Sequence, residues 1–356
     1  MEALNLLNDY KERLRPFLEE YFKEKIRKAK LIDPLAEESV KMISNFTLAG
    51  GKRIRPAVMY YAYLGCGGKD EDRIVEASMS IELVHSFLLI HDDIIDKDEL
   101  RHGVKTLNAE YEAIARKFFP KTDPVHFGNS MAMIAGDLAG SMASEIVFHS
   151  KFAPETIIKV LDKLQDIVYV TIPGEMIDVI LEAKGTATEE EIMRMYEGKT
   201  SRYTFEGPSH LGALLANSDE SVLANFTDYS MPLGAAFQIR DDVLGIFGEQ
   251  KKLGKPVGSD IIEGKQTLLV IKVRESGTAA QKKRMEQLLK KQDITKSEID
   301  EFRQIVTESG SLDYAKNLSE KLVSDSISAL DKIDLQNKDA RVFFEGIAHF
   351  IVNRQH

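Results

Sequence analysis

The sequence has 356 residues, of which 43% are hydrophobic, and a formal net charge of −10 at pH 7. This acidic balance argues against nonspecific binding to nucleic acid, and no uninterrupted apolar run approaches the roughly 18 residues that span a membrane. The polar start lacks the basic-then-apolar order of a signal peptide. The single cysteine, Cys66, excludes a disulfide within the chain and fits a reducing compartment, so we expect a cytoplasmic protein without a membrane span.

Apolar residues recur every three or four positions along most of the chain, which predicts helices rather than strands. In chain order, the pattern is clear in DPLAEESVKMISNFTLAG, EASMSIELVHSFLLIHDDIID, APETIIKVLDKLQDIVYVTI and MPLGAAFQIRDDVLGIFG. Prolines mark the predicted boundaries between helices: Pro56, Pro154, Pro173, Pro208 and Pro232. We expect one all-α domain over residues 1–356, with the motifs at about 40–270 and charged amphipathic helices at 271–356.

The segment LIHDDIID, residues 89–96, concentrates Asp92, Asp93 and Asp96 in an apolar stretch. Asp92 and Asp96 are four residues apart, so on a helix they share a face and repel each other. Carboxylates in apolar surroundings are costly unless they are paired or bound to a cation. Mg²⁺ prefers such oxygen ligands and is commonly shared with substrate phosphates. An isolated cluster of this kind is also typical of a solvent-exposed helix end.

A second acidic pair, Asp241 and Asp242 in FQIRDDVLGIFG, lies in another apolar, helix-like stretch. Two such pairs can face each other across the core of a helical bundle, where acidic metal sites are usual. The alternative is a coincidental pair that Arg240 and nearby lysines neutralise.

Basic residues alternate with the two acidic clusters. GGKRIRP places Lys52, Arg53 and Arg55 after two glycines, where the backbone can approach a ligand closely and arginine can hold phosphate oxygens in a bidentate fork. Four more cations follow along the chain: Arg101, Lys199, Lys255 and Lys265. Each alone is typical of a solvated surface. As a set they predict a diphosphate held between Mg²⁺ and cationic side chains.

These motifs closely resemble those of the trans-isoprenyl diphosphate synthases, the polyprenyl synthetase family. The matches run in family order: GGKRIRP, LVHSFLLIHDDIID, RHG, AGD, GEMID, GKT, FQIRDD and GKPVGSDIIEGKQTLL. They cover about residues 40–270, and the last motif is most similar to archaeal short-chain members. The resemblance implies the isoprenoid synthase fold, a bundle of about ten or more helices around a central cavity, and a homodimer.

The resemblance also implies a role for each matching residue. The ligands of Mg²⁺, about three ions per active site with Mn²⁺ able to substitute, would be Asp92, Asp93, Asp96, Asp241 and Asp242. The cations around the allylic diphosphate would be Arg101, Lys199, Lys255 and Lys265. The pocket for isopentenyl diphosphate would be formed by Gly51, Lys52, Arg55, His85 and His102. Polar residues at the reaction centre would be Thr200 and Gln238, and the loop that closes the site would carry Asp260 and Lys265.

The chain departs from the family pattern at three of these motifs. Gly245 stands where many members have a third aspartate, a feature that archaeal relatives often share. His102 replaces the second arginine of RRG, and Glu175 replaces the usual glutamine of GQxxD. The segment 109–125 resembles an insertion relative to compact members. The replacement of that arginine by His102 puts the strength of isopentenyl diphosphate binding in question.

The reaction implied by the resemblance condenses isopentenyl diphosphate with an allylic diphosphate to give a short trans-prenyl diphosphate. Its leaving pyrophosphate is stabilised electrostatically, and water must be excluded from the carbocation. In archaeal relatives the residue five before the first aspartate forms the floor of the product channel, which here is Phe87 and predicts geranylgeranyl diphosphate (C20). A helical projection alone places Leu88 beneath Asp92, and Phe87 is equally compatible with an ordinary core position.

Several other functions remain open from the sequence. Within the family, the product could be farnesyl diphosphate (C15) or a chain of C25 and longer. A class I terpene cyclase would use the same metals, but it would not need GGKRIRP and would favour more aromatic residues than the 8% present. A non-catalytic partner subunit would usually lose one acidic cluster, and a helical scaffold with Ca²⁺-binding acids would not need the phosphate-type motifs.

Overall fold

The computed structural model describes residues 2–248 and 258–353, and within them the chain is almost entirely helical, which confirms the predicted all-α class. The first helices are α1 (Glu2–Lys30), α2 (Pro34–Leu48), α3 (Ile54–Gly65), α4 (Glu71–Ile95), α5 (Leu107–Phe118), α6 (Pro124–Phe148) and α7 (Pro154–Lys184). A π-helix (Glu197–Glu206) joins α8 (Glu189–Tyr196) to α9 (Gly207–Leu215), and α10 spans Glu220–Phe247. The last helices are α11 (Ser259–Glu263), α12 (Leu268–Ser276), α13 (Ala279–Leu288), α14 (Lys296–Glu308), α15 (Ser311–Leu330) and α16 (Lys338–Asn353).

The chain divides into two compact units. The first comprises Met1–Leu164, Leu211–Ser218 and Gln336–Ala340, and the second comprises Gln165–His210, Asp219–Leu335 and Arg341–His356. Each acidic cluster lies in a different unit, Asp92 in the first and Asp241 in the second. A single domain over residues 1–356 and a central cavity therefore stay predictions.

In the first unit, α4 is the central helix and packs against α3 and α6. It begins at the N-cap Asp70, whose carboxylate accepts the backbone N–H of Arg73 at 3.1 Å and satisfies one of the free donors of the first turn. Its side chains are buried on most sides, including Ile74, Ile81 and Leu83. The helix ends at Ile95, so its buried apolar body carries the first acidic cluster on its last turns.

A short antiparallel hairpin follows α4 within residues 99–106. Its strands β1 (Leu100–Arg101) and β2 (Val104–Lys105) pair Leu100 with Lys105 and Arg101 with Val104. The two turn residues, His102 and Gly103, have φ of 52° and 80°. Two positive φ values in a two-residue loop are those of a type I′ turn, which fits the twist of paired strands.

In the second unit, α8 begins with a capping box in which Thr188 and Glu191 bond each other's backbone N–H groups. It continues without a break into the π-helix, where hydrogen bonds run from i to i+5 and each turn holds an additional residue. The π-helix packs against α10, which also packs against α15. This arrangement brings the motif GKT, inside the π-helix, next to the motif FQIRDD on α10.

Two predicted helix boundaries are wrong, because Pro173 lies inside α7 and Pro232 inside α10. Pro208 is the second residue of α9, at the junction where the π-helix continues into that helix. Pro56 and Pro154 do lie in the first turn of their helices, where proline is tolerated because its missing N–H would have no partner. A proline inside a helix removes one hydrogen bond, and α10 offsets this loss by burying side chains before and after Pro232.

Two helices, α4 and α6, are long and apolar enough to cross a membrane by length and composition. Both helices contain a few polar residues, so neither forms an uninterrupted apolar run in the sequence. The most apolar stretch of α4 is mostly buried inside the protein, as in the core helix of a globular fold. Less than half of the corresponding stretch of α6 is buried.

Candidate active site

The first acidic cluster is held together by one arginine from the hairpin. Arg101 donates through Nε to Asp93 Oδ1 and through Nη2 to both Asp92 Oδ2 and Asp98 Oδ2, at 3.0 Å each. Asp96 forms the C-cap of α4, and its backbone N–H donates to the carbonyl of Asp92. A cationic side chain thus provides the positive charge that the apolar setting of these carboxylates requires.

Burial dominates the electrostatics of this cluster. Asp93 is fully buried, and desolvation raises its pKa to about 7 although Arg101 opposes the shift. Burial lowers the pKa of Arg101, but the three neighbouring carboxylates raise it on balance, so the guanidinium stays charged. The second oxygen of Asp93, Oδ2, is buried and has no hydrogen-bond partner among the described residues. A buried acceptor without a partner is unusual and favours a cation at this position.

The donor set fits a hard divalent cation, because the cluster offers only carboxylate oxygens. Within residues 2–248 and 258–353, however, no three His, Cys, Asp or Glu side chains converge as a complete metal site. Mg²⁺ binds in this way where one or two carboxylates are completed by water and substrate phosphates. The residues therefore fit a metal that is bound together with a diphosphate.

The motif GGKRIRP forms the turn that leads into α3. Gly51 and Arg53 have φ of 110° and 54°, a conformation that glycine adopts readily and arginine does not. The Arg53 guanidinium is anchored by a buried ion pair with Glu82 on α4 and by the carbonyl of Thr47. Lys52, between these two residues, is exposed to solvent. The anchored turn presents a lysine outward from a fixed backbone.

The next predicted residues of this motif also lie in the first unit. Arg55 Nη1 lies 3.3 Å from His85 Nε2 on α4. Desolvation, and then the charges of Arg55 and Arg101, lower the pKa of His85 well below its usual range, so the imidazole is neutral at pH 7. A neutral imidazole beside Arg55 accepts from the guanidinium and leaves the charge to the arginine.

His102 packs on the glycine turn. A Cβ placed on Gly50 would lie 3.2 Å from His102 Cβ, and one on Gly51 would lie 3.9 Å from His102 Nε2. Desolvation and the charge of Arg101 lower the pKa of His102. The structure thus joins Gly51 and His102, both predicted for one pocket, with a neutral ring where RRG members have an arginine.

The second acidic pair is on α10, where Asp242 is buried and Asp241 is half-buried. Asp242 Oδ1 accepts from Gln238 Nε2 at 2.9 Å, and Gln238 Oε1 accepts from the Thr200 hydroxyl at 2.6 Å. Asp242 Oδ2 accepts from the hydroxyl of Tyr196. Burial raises the pKa of Asp242 to about 8, against the effect of its hydrogen bonds. Of the predicted reaction-centre residues, Gln238 is therefore bonded directly to the predicted metal ligand, and Thr200 is linked to it through Gln238.

Two predicted lysines meet one aspartate in the second unit. Lys199 Nζ lies 2.7 Å from both Asp178 Oδ2 and Glu175 Oε2, and Lys265 Nζ lies 3.7 Å from the same Asp178 oxygen. A Cβ on Gly174 would overlap the backbone at Gly198 and Lys199, so glycine is required for α7 and the π-helix to approach each other. This contact explains why the motifs GEMID and GKT occur together.

Asp260 on α11 lies against α10 at Gly245. A Cβ at position 245 would overlap the Asp260 carboxylate. The space in which a third aspartate of the second motif would begin is thus filled by a carboxylate from a later segment. Lys255, predicted to bind the allylic diphosphate, lies outside the described residues.

The predicted chain-length residues are on α4, within the first unit. The ring of Phe87 lies 4.9 Å from the ring of His91, edge to face, and a Cβ on Gly140 of α6 would lie 3.4 Å from Phe87 Cγ. Both Phe87 and Leu88 are partly exposed. Neither is an ordinary fully buried core residue, which leaves both available to line a channel.

Sequence reasoning missed three residues that bond to the predicted ones: Asp98, Asp178 and Tyr196. Asp98 is three residues from Arg101, and Asp178 belongs to the quoted motif GEMID, so both offered a signal. Nothing in the amino-acid sequence distinguishes Tyr196 from the other apolar positions of its helix.

Comparison with known proteins gives consistent matches along the chain. The family model described as polyprenyl synthetase matches residues 37–306. The geranylgeranyl diphosphate synthase of Saccharolobus solfataricus is 33% identical over 86% of this chain and 87% of that protein. The geranylfarnesyl diphosphate synthase of Natronomonas pharaonis is 31% identical over 86% and 87%.

Among solved structures, the geranylgeranyl pyrophosphate synthase of Corynebacterium glutamicum, complexed with isoprenyl diphosphate and magnesium, superposes with a TM-score of 0.92. It is 28% identical to this chain, with coverage of 98% of this chain and 99% of that one. The match in sequence extends over more than half of the chain, and the match in structure over nearly all of it. The ordered motifs, the helical fold and these matches place the chain in the polyprenyl synthetase family.

Proposed function

We propose that this protein is a Mg²⁺-dependent trans-prenyltransferase that condenses isopentenyl diphosphate with an allylic diphosphate, with geranylgeranyl diphosphate as its product. The observation that carries the proposal is the pair of Asp92 and Asp93, which Arg101 bridges in a chain of this family. Asp92 is half-buried, and Asp93 is buried with one oxygen that has no hydrogen-bond partner among the described residues. This arrangement suits a ligand that brings both a cation and phosphate oxygens.

The metal ligands in this proposal are Asp92, Asp93, Asp96, Asp241 and Asp242. About three Mg²⁺ ions, for which Mn²⁺ can substitute, would neutralise the pyrophosphate as it leaves the allylic carbon. Since the second oxygen of Asp93 has no hydrogen-bond partner among the described residues, a bound cation would give this buried oxygen a partner in addition to the ion pair with Arg101. Arg101 would then be available to turn from the carboxylates to phosphate oxygens, which a guanidinium holds in bidentate fashion.

The allylic diphosphate would be bound by Arg101, Lys199, Lys255 and Lys265. Lys199 is poised by Glu175 and Asp178, which hold its ammonium group and keep its long side chain from sampling other rotamers. Thr200 and Gln238 would face the carbocation, where a hydroxyl and an amide oxygen stabilise positive charge through their dipoles. No side chain is needed as a nucleophile, because the double bond of isopentenyl diphosphate attacks.

Isopentenyl diphosphate would bind at Gly51, Lys52, Arg55, His85 and His102. The turn is fixed by the Arg53–Glu82 ion pair, so Lys52 and Arg55 start from a rigid backbone. His85 and His102 have lowered pKa values and contribute hydrogen bonds instead of charge. We therefore expect this pocket to rely on its lysine and arginine for charge.

We also propose that two copies of the chain associate. On α7, the exposed side chains Tyr169, Ile172, Met176 and Ile180 follow helical spacing and form one apolar stripe, with 76% of Tyr169 accessible. A contiguous exposed apolar surface of this kind marks an association site. The reaction would take place in the cytoplasm, in keeping with the single cysteine of the sequence.

The test is incubation of the purified protein with Mg²⁺, labelled isopentenyl diphosphate and each allylic starter from C5 to C20, with EDTA as the control. Products are sized after the phosphates are removed. Metal-dependent elongation that ends at C20 supports both the prenyltransferase activity and the C20 product. Elongation to C15, C25 or beyond retains the synthase and discards the C20 product. Cyclised hydrocarbon supports a terpene cyclase, and the absence of any product supports a non-catalytic subunit.

A further inference from the structure

Tyr196, the last residue of α8, is hydrogen-bonded both to α10 and to the first residue of α12 in the second unit. Its ring is fully buried in a cluster that includes Ile239, Val243 and Leu268. A buried tyrosine usually finds a hydrogen-bond partner for its hydroxyl. Here the hydroxyl has two: it donates to Asp242 Oδ2, and it accepts the backbone N–H of Leu268 at 3.2 Å.

The direction of these bonds follows from the donors. A backbone N–H can only donate, so Leu268 occupies a lone pair of the Tyr196 oxygen and leaves the phenolic proton for Asp242. The other oxygen of Asp242 accepts from Gln238. Each oxygen of Asp242 therefore has one fixed donor, which sets the plane of the carboxylate and still leaves lone pairs for a cation.

Leu268 is the first residue of α12, and the segment just before it carries Asp260 and Lys265. Its amide thus marks the end of the segment that the family resemblance associates with closing the site. The rigid ring of Tyr196 connects this amide to the acidic pair on α10 through a single oxygen atom.

We propose that Tyr196 is a positioning residue: it orients the Asp242 carboxylate for the metal and couples that orientation to the segment 258–267. This inference rests on the proposed function, because it assigns Asp242 to a metal site. Residues that orient a metal ligand commonly change metal affinity by 10- to 100-fold when they are removed.

The experiment compares Tyr196→Phe with Tyr229→Phe in the full-length protein. Tyr229 is also fully buried in the second unit, and its hydroxyl donates to the backbone carbonyl of Phe344 at 2.7 Å, so the control loses a buried hydroxyl that is hydrogen-bonded to the backbone and not to a predicted metal ligand. The thermal midpoint is followed at a fixed concentration of inorganic pyrophosphate as Mg²⁺ is increased. We expect Tyr196→Phe to raise the Mg²⁺ concentration for half-maximal stabilisation by about tenfold or more, and Tyr229→Phe to match the wild type.

Equal Mg²⁺ requirements in the two variants would overturn the role of Tyr196. If the wild type itself gains no Mg²⁺-dependent stabilisation from pyrophosphate, the proposed function fails instead. If Tyr196→Phe does not fold, amide hydrogen exchange of Leu268 in the wild type tests the coupling instead. We expect Mg²⁺ and pyrophosphate together to slow this exchange by about tenfold or more, and unchanged exchange would overturn the coupling.

Discussion

The carboxylate of Asp260 lies against the α-carbon of Gly245, in the space that any side chain at position 245 would need. The two residues are on α11 and α10 of the same unit. Many family members have an aspartate at the position of Gly245, so the missing carboxylate is matched here by one from a segment 15 residues later in the chain. Glycine at position 245 is therefore required by the packing of Asp260 and is more than the loss of an aspartate.

We expect Gly245→Ala to reduce the free energy of unfolding by about 1–3 kcal/mol, because its Cβ would overlap the Asp260 carboxylate and force α10 or Asp260 to shift. The double variant Gly245→Ala, Asp260→Ala removes the obstacle and should recover most of that loss. Urea denaturation of the three proteins measures the effect. An equal loss in the single and double variants would show that Asp260 is not the obstacle.

Glu175→Gln restores the residue usual in the family and removes one of the two carboxylates within 2.7 Å of Lys199. Less of the ammonium charge is then neutralised, so we expect the KM for the allylic diphosphate to fall by about two- to tenfold. The KM for isopentenyl diphosphate should not change. Steady-state kinetics with each substrate varied in turn provides the measurement, and a raised KM for the allylic substrate would refute the role of Lys199.

Phe87→Ala should lengthen the product. The substitution removes the ring between His91 and Gly140 and opens space along α4 in the direction expected for the growing chain. Leu88→Ala is the matched control, one residue closer to Asp92. Chromatography of the dephosphorylated products distinguishes them: an unchanged product from Phe87→Ala would discard the floor, and a longer product from Leu88→Ala alone would transfer the role to Leu88.

Because His85 is buried and neutral in the folded protein, it should make the folded state less stable at mildly acidic pH than at pH 7.5. Desolvation and neighbouring arginines keep the pKa of the folded-state imidazole well below the usual 6.5, so below pH 6.5 the unfolded chain takes up a proton that the folded chain does not. This contribution to stability is present above pH 6.5 and is lost as the pH falls, with a limiting slope of about 1.4 kcal/mol per pH unit. Denaturation at pH 7.5 and pH 5 should show a smaller decline for His85→Gln than for the wild type. Parallel declines would contradict the shift.

Association of two copies through α7 can be tested by introducing charged side chains into its apolar stripe. Ile172→Asp with Met176→Asp places two carboxylates in the apolar stripe, and we expect the protein to change from a two-chain to a one-chain species in light scattering. Ile32→Asp is the control, since Ile32 is 81% exposed on the first unit and lies outside the stripe. A two-chain species in the α7 variant would place the interface elsewhere.

The sequence was sufficient to predict the helical class and the groups that assemble within each unit. Helical periodicity determines the class, and the family resemblance groups Arg101 with the first acidic cluster and Thr200 with Gln238 at the reaction centre. The predicted helix boundaries at Pro173 and Pro232 are wrong, because the packing of a long helix outweighs one missing hydrogen bond.

Contacts between distant segments could not be predicted either. Nothing local to Tyr196 shows that its hydroxyl reaches Asp242, and nothing local to Gly245 shows that Asp260 fills its space. Such contacts depend on how separate helices pack, and a period of 3.6 residues carries no information about which helix becomes the neighbour.

The central claim is that the protein transfers the prenyl group of an allylic diphosphate to isopentenyl diphosphate. The most direct test is pyrophosphate release from farnesyl diphosphate and Mg²⁺, measured with and without isopentenyl diphosphate. We expect release to require both substrates and to equal the amount of C20 product formed. Release from farnesyl diphosphate alone at a comparable rate would contradict this account and identify a cyclase or a hydrolase.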